Sequence, residues 1–314
     1  MKKRELVVSG VLIISLLLNI LTGYKLREER RVWNLSFENA NSWETYFSVH
    51  RVRGAQKRAK GKGIKVGILD HYFGTKKHGE LYAGEKDFLG KLKDHQEISE
   101  HGYWLTNTLK EIAPECQVYA LSTLDSKNET KRVKAMAEAI DWAIENKLDI
   151  LTYSAQQIED SENKKVLDAA VEKAEANGII ITFIHYDHPY NMKPIGIYEE
   201  DNKENIESTI TIYSYDYNLL LKSDFNQYGM GNIGAEEARR LFYSNSSMSV
   251  VVAGFMAILK SIDPTLTPKE YREILMASAQ ERTVMEPQTL RQIPLKHVAD
   301  IEQAVNQMES KIKY

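Results

Sequence analysis

The run Gly178-Ile179-Ile180-Ile181-Thr182-Phe183-Ile184 is apolar at nearly every position, where a strand with one wet face would alternate. A strand of that kind is buried on both sides, as in a parallel sheet covered by helices. Short apolar runs recur at Ile64 to Leu69, Gln117 to Leu121 and Asp149 to Tyr153, and Ser208 to Tyr213 adds a β-branched, alternating run. Helical patterns separate them. Val133 to Glu145 carries Met136, Ile140, Trp142 and Ala143 near helical spacing, and Lys164 to Ala176 follows the next strand. An earlier helix starts at His101, and later ones are expected at Ser247 to Ser261, at Pro268 to Ala279 behind a Thr267 cap, and near Val298 to Met308. Strands alternating with helices predict an α/β fold, a mostly parallel sheet with helices on both faces.

The first 25 residues follow another rule. Lys2-Lys3-Arg4 precede Leu6 to Tyr24, a stretch with no charged side chain and many Leu, Ile and Val. A helix of that length rises roughly 28 Å, enough to cross a hydrocarbon core. The expectation is one transmembrane helix within residues 1–25, touching the membrane through residues 6–24. A polar stalk with Trp33, Trp43 and Tyr46 would follow over residues 26–60, and the folded domain over residues 61–314. This makes a single-pass protein of the cell membrane, with its domain outside the cell. The competing reading is a cleaved signal peptide and a secreted protein. Leu21-Thr22-Gly23-Tyr24-Lys25-Leu26 offers no small-x-small cleavage pattern for that reading. Orientation is blurred by Lys25, Arg27, Arg30 and Arg31, which stand just beyond the span.

Composition then removes some classes of function. A net charge of −3 provides no basic field for nucleic acid. Cys116 is the only cysteine, so there is no intrachain disulfide and no cysteine metal cluster.

Three polar residues each stand at the end of a regular element. Asp70 ends the strand Lys65-Val66-Gly67-Ile68-Leu69, His101 begins a helix, and Ser246 opens the apolar helix of Met248 to Gly254. Each alone has an ordinary explanation. A strand-end aspartate commonly makes a turn, a histidine at a helix start commonly caps or faces water, and a serine there commonly caps. Together they form the ordered set Asp, His, Ser at positions where α/β sheets collect their functional groups. That is the chain order of the subtilisin-type triad.

The flanking residues carry the same resemblance. Gly61-Lys62-Gly63-Ile64-Lys65-Val66-Gly67-Ile68-Leu69-Asp70 resembles the opening strand and aspartate of the subtilase family. His101-Gly102 followed by Ile112-Ala113-Pro114-Glu115 is similar to its histidine helix and the strand after it. Ala139-Ile140-Asp141-Trp142-Ala143-Ile144 leading to Asp149-Ile150-Leu151 resembles its central helix and substrate-edge strand. Phe225-Asn226-Gln227-Tyr228-Gly229 resembles the loop ahead of its nucleophile, and matching through Val252-Ala253-Gly254 puts Ser246 at the nucleophile itself. The resemblance implies a subtilisin-like serine endopeptidase acting on a peptide or protein. His101 would deprotonate Ser246, with Asp70 holding the imidazole. The Ser246 N–H and a side chain at Asp187 would form the oxyanion hole, and Ser154, Ala155 and Gln156 would lie along the substrate. No cofactor is implied and no metal ligands are assigned. Calcium stabilises many subtilases, and no ligand set for it can be placed here.

Several positions depart from the family's pattern. His71-Tyr72 stands where Thr-Gly usually follows the aspartate. Ser244-Asn245 and Ser247-Met248-Ser249-Val250 flank the serine in place of Gly-Thr and Met-Ala-x-Pro. Ser154-Ala155-Gln156 replaces Ser-x-Gly, and Asp187 replaces the oxyanion asparagine. Ionised, Asp187 would repel a developing oxyanion; protonated, it would donate to it. Two functional readings follow: an active endopeptidase, and a subtilase kept as a peptide-binding or regulatory module.

Overall fold

The structure, a computed structural model, describes residues 48–125, 127–155, 158–183, 194–195, 212–213, 246–285 and 292–312. Its central sheet has β1 (Lys65–Asp70), β2 (Gly84–Asp87), β3 (Gln117–Ser122), β4 (Ile150–Tyr153) and β5 (Ile180–Phe183), all parallel, in the order β2-β3-β1-β4-β5. The apolar strand runs explain the layering. Val66, Ile68, Val118, Ala120, Ile150 and Ile180 enter one core, while Leu69, Leu121, Leu151 and Ile181 enter another. Successive side chains of a strand point to opposite faces, so each strand supplies both cores.

The helices are α1 (Val52–Gln56), α2 (Leu92–Glu97), α3 (His101–Ile112), α4 (Glu129–Glu145), α5 (Ser161–Ala176), α6 (Ser247–Ile262), α7 (Pro268–Ala277) and α8 (Ile301–Ile312). Helices α4 and α5 cover one face through Met136, Ile140, Leu167 and Val171. Helices α3, α6 and α8 cover the other. Helix α6 is apolar around most of its circumference and buried accordingly, with Val250, Val251, Val252, Phe255 and Met256 fully enclosed.

Local signals fix the helix starts. Asn128 accepts from the Lys131 N–H ahead of α4, and Asp160 accepts from the Glu162 and Asn163 N–H groups ahead of α5. At α7, Thr267 and Glu270 form a reciprocal capping box with Pro268 behind the cap, as the sequence predicts. Helix α8 instead begins at Ile301, later than the expected Val298. The preceding residues form β9 (Gln292–Val298), paired antiparallel with β8 (Gln280–Met285). The hydrophobic alternation of this hairpin is weak and Pro294 lies inside it, which hides it from a periodicity reading. Of the expected strand at 208–213, the described part is β7 (Ile212–Tyr213), paired with β6 (Pro194–Ile195).

The expected stalk also changes. From residue 48 it is part of the fold: Val49, Val52 and Ala55 are buried in the first core. The His50 Nδ1–H donates to the Ala299 carbonyl at 2.8 Å, Arg51 pairs with Asp300 at 3.1 Å, and Arg282 pairs with the same carboxylate. The Gln56 amide donates to the Glu111 and Ile112 carbonyls at 2.7 and 2.9 Å, closing the end of α3. Two of the charges that made this segment look like a stalk, Arg51 and Arg58, also pair with Glu302 and Glu309 of α8, so residues 48–60 pack with the domain. The expected membrane span at 6–24 lies outside the described residues. Among those described, no helix is long and apolar enough to cross a membrane.

His50 gives this clamp a pH dependence. Burial lowers its pKa from 6.5 to about 4, against the opposing pull of its Ala299 bond and of Asp300. The unfolded chain therefore takes up this proton first, and stability is lost as pH falls from 6.5 toward 4. The full effect is about 3 kcal/mol. His50→Gln keeps a donor for Ala299 without the titration. Urea unfolding at pH 7 and pH 4.5 should show a markedly smaller acid loss in the variant than in the parent.

Candidate active site

Strand β1 lies where the sheet's connections part: β3 and then β2 lie on one side of it, β4 and β5 on the other. A crevice opens beyond the carboxyl ends of strands at such a point. Asp70 is the last residue of β1 and is fully buried.

Helix α3 docks its N-terminus on the turn that follows. The Glu100 N–H donates to the Tyr72 carbonyl at 2.8 Å, and the Gly102 N–H to the His71 carbonyl at 2.9 Å. A Cβ on Gly102 would come within 2.5 Å of the His71 carbonyl oxygen, so the close approach requires glycine after the histidine. Tyr72 itself adopts φ 55°, a left-handed conformation unusual for a tyrosine, which swings the chain away from the strand axis.

The docking brings His101 Nδ1 to 2.8 Å from Asp70 Oδ2. A carboxylate only accepts, so Nδ1 carries the proton and Nε2 is the ring's acceptor. Burial opposes charge on both groups, and their mutual attraction overrides it. Burial alone would raise Asp70; the charge and hydrogen bond of His101, then those of His71, hold its carboxyl well below the usual carboxylate range. Burial alone would lower His101, yet the Asp70 charge and hydrogen bond leave it raised above 6.5.

Ser246 stands at the head of α6 with φ −63° and ψ −28°, already helical, and its side chain makes no capping hydrogen bond. The ordinary explanation for a serine at this position therefore does not hold. Its backbone lies at the positive end of the helix dipole, which favours developing negative charge.

Two sets of contacts bring Ser246 to the Asp70 edge. Gly254 of α6 packs against Ile112 and Leu109, and Ala257 lies with Ala113 and Cys116 around Gly61. Residue numbers rise together on α3 and α6, so the helices run in the same direction. Counting back eight residues from Gly254 brings Ser246 level with the first turn of α3. Separately, the Ser249 hydroxyl meets the Ser154 hydroxyl just beyond β4, where Tyr153 pairs with Leu69. Ser249 Oγ also donates to the Ser246 carbonyl at 3.4 Å.

The remaining expected residues divide. Ser154 is buried and committed to Ser249, while Ala155 is partly exposed. Strand β4 is an interior strand, between β1 and β5, so its flank is not an open sheet edge. A peptide would have to follow the residues beyond its end. Gln156 and Asp187 lie outside the described residues. No cluster of three His, Cys, Asp or Glu side chains suited to a metal occurs among the described residues. Sequence reasoning overlooked Ser249, whose signal was a small polar side chain between Met248 and Val250 in an apolar helix.

These features agree with comparison to known proteins. A model of the subtilase family matches residues 61–293, which is most of the chain. The chain belongs to the subtilase family. It is 25% identical over 238 residues to the minor extracellular protease Epr of Bacillus subtilis, covering 68% of this chain and 34% of that protein. It is 22% identical over 246 residues to a thermostable alkaline protease of Halalkalibacterium halodurans, covering 70% of this chain and 63% of that one. The chain thus spans about a third of the first relative and under two thirds of the second. A solved protease structure from Pseudoalteromonas arctica superposes with a TM-score of 0.57 at 15% identity, covering 85% of this chain and 97% of that one.

The α3–α6 contact is a point of vulnerability. A Cβ on Gly254 would stand 2.7 Å from Ile112 Cγ2 and 2.9 Å from its Cβ. Gly254→Val should destabilise the domain by about 1–3 kcal/mol, at the upper end because valine adds three carbons to a closed contact. Denaturant midpoints of the two proteins check this.

Proposed function

We propose that this chain is a membrane-anchored serine endopeptidase that hydrolyses peptide bonds through Asp70, His101 and Ser246. The observation that carries the reading is the 2.8 Å bond from His101 Nδ1 to a fully buried Asp70, at the sheet edge reached by the head of α6. Chemistry follows from that arrangement. His101 Nε2 takes the Ser246 proton as Oγ attacks the substrate carbonyl, and Asp70 stabilises the imidazolium that forms. The imidazolium then gives its proton to the leaving amine, and water releases the acyl group by the same route. Negative charge on the carbonyl oxygen would be met by the Ser246 N–H at the helix start and by a protonated Asp187. The apolar run at 6–24 supports a membrane anchor, with the domain on the outer side acting on peptide or protein there. The family's proteases support the substrate class.

Active-site titration of the full chain with a fluorophosphonate tests the reading. Stoichiometric labelling that disappears in Ser246→Ala is expected. Folded protein that takes no label would leave a peptide-binding or regulatory subtilase. In the active enzyme, Asp70→Asn should lower the labelling rate by roughly 10⁴-fold, because the imidazole loses the partner that fixes its tautomer.

The acid limb gives a second check. His101 must be neutral to act as a base, and its pKa lies above 6.5. Labelling rate measured against pH should therefore fall as pH drops through a midpoint above 6.5, rather than at the value of a free imidazole.

A further inference from the structure

The reaction proposed above uses one oxygen of Asp70, and a second histidine occupies the other. The His71 N–H donates to Asp70 Oδ1 at 2.8 Å, and the His71 ring Nδ1 stands 3.0 Å from the same oxygen. That ring nitrogen is buried, so the carboxylate oxygen is the polar group it faces at this range. The His71 and His101 rings are inclined by only 18° with centroids 6.1 Å apart, and the Tyr72 ring packs edge-on against His71 at 4.1 Å. A single buried carboxylate thus has an imidazole against each oxygen.

We propose that His71 is a positioning residue that divides the Asp70 carboxylate between two imidazoles and so tunes His101 as the base. The proposal rests on the triad reading and extends it to a residue found where the family usually carries threonine. The His71 amide and ring beside Oδ1 draw on the same negative charge that Asp70 presents to His101 through Oδ2. The two rings are thus coupled through one carboxylate, and a change at either alters what the other meets.

The surrounding groups leave this coupling exposed. From α2, His95 is 1% exposed and packs edge-on against Phe73 at 4.7 Å; burial lowers its pKa and keeps it neutral. Glu85 and Asp87 of β2 act on His95, as Asp70 does. From β4, Tyr153 feels the Asp70 charge, and burial raises its pKa so that it too stays neutral. His71 itself lies 3.0 Å from Asp70 and 6.1 Å, ring to ring, from His101, and its charge also acts on His95. The His71 backbone is held by Gly102 independently of its ring, so the side chain can be changed without releasing the turn.

Two substitutions separate charge from shape. His71→Phe keeps a ring against Tyr72 and removes both nitrogens. His71→Asn places an amide near the position of Nδ1, uncharged at any pH. The readout is the proton NMR signal of the His101 Nδ1–H, followed against pH in the full chain and in each variant. In His71→Phe the His101 midpoint should rise by about one pH unit, and in His71→Asn by about half that, with the amide partly replacing the lost partner. Midpoints that match the parent in the folded variants would overturn the proposal. If His71→Phe does not fold, His71→Asn decides alone: a raised midpoint supports the division of charge and an unmoved one refutes it. This signal reports on the ring whether or not Ser246 acylates. Failure of the fluorophosphonate titration and failure of this test are therefore separate results.

Discussion

A parallel sheet cannot leave either face in water while its strands are apolar throughout, and the rest of this structure depends on that constraint. Ile150 and Ile180 face one way, Leu151 and Ile181 the other, and each set needs a helical layer. Helices α4 and α5 form one layer, and α3 with α6 form the other. Once α3 and α6 share a face and run in the same direction, their N-termini emerge at one edge of the sheet. That edge is where β1 ends. The meeting of a strand-end aspartate and a helix-start histidine, with α6 beginning toward the same edge, is therefore a product of layer packing, with Gly254 allowing the two helices to close together.

Signals confined to a few neighbouring residues could be read from the sequence. The runs at Ile64 and Gly178, the Thr267-Pro268 cap and the His101-Gly102 step each state a local rule that the fold obeys. Features that depend on distant partners could not. Arg51 looks like a solvated charge until Asp300, 249 residues later, is placed against it. Ser249 looks like a capping or surface residue until Ser154 meets it across the sheet edge. His71 stood out in the sequence only as a break from the family's pattern; its second contact with Asp70 required coordinates. Hairpin β8–β9 escaped for another reason, because a short, weakly alternating pair with an internal proline leaves little periodic signal.

The electrostatics of the site follow from one buried carboxylate. Burial penalises its charge heavily, and two imidazoles, the His71 amide and the strand-end geometry together compensate. Asp70 is consequently structural as well as chemical. It ties the end of β1 to the start of α3 and shapes the turn that carries Tyr72 into its left-handed conformation. The histidine beside this aspartate, where the family usually carries threonine, sets a second imidazole against the carboxylate that holds His101.

The clamp formed by His50, Arg51 and Asp300 fastens the two ends of the domain to each other, far from this edge. Gln56 meets the last turn of α3, whereas His101 opens its first, and twelve helical residues span about 18 Å. Load arriving along the chain from before residue 48 would meet Asp300 and the last turn of α3 before it reached β1. The strand that holds Asp70 would be spared. A pull on this segment would thus be taken up at the end of α3 opposite to the one that carries His101.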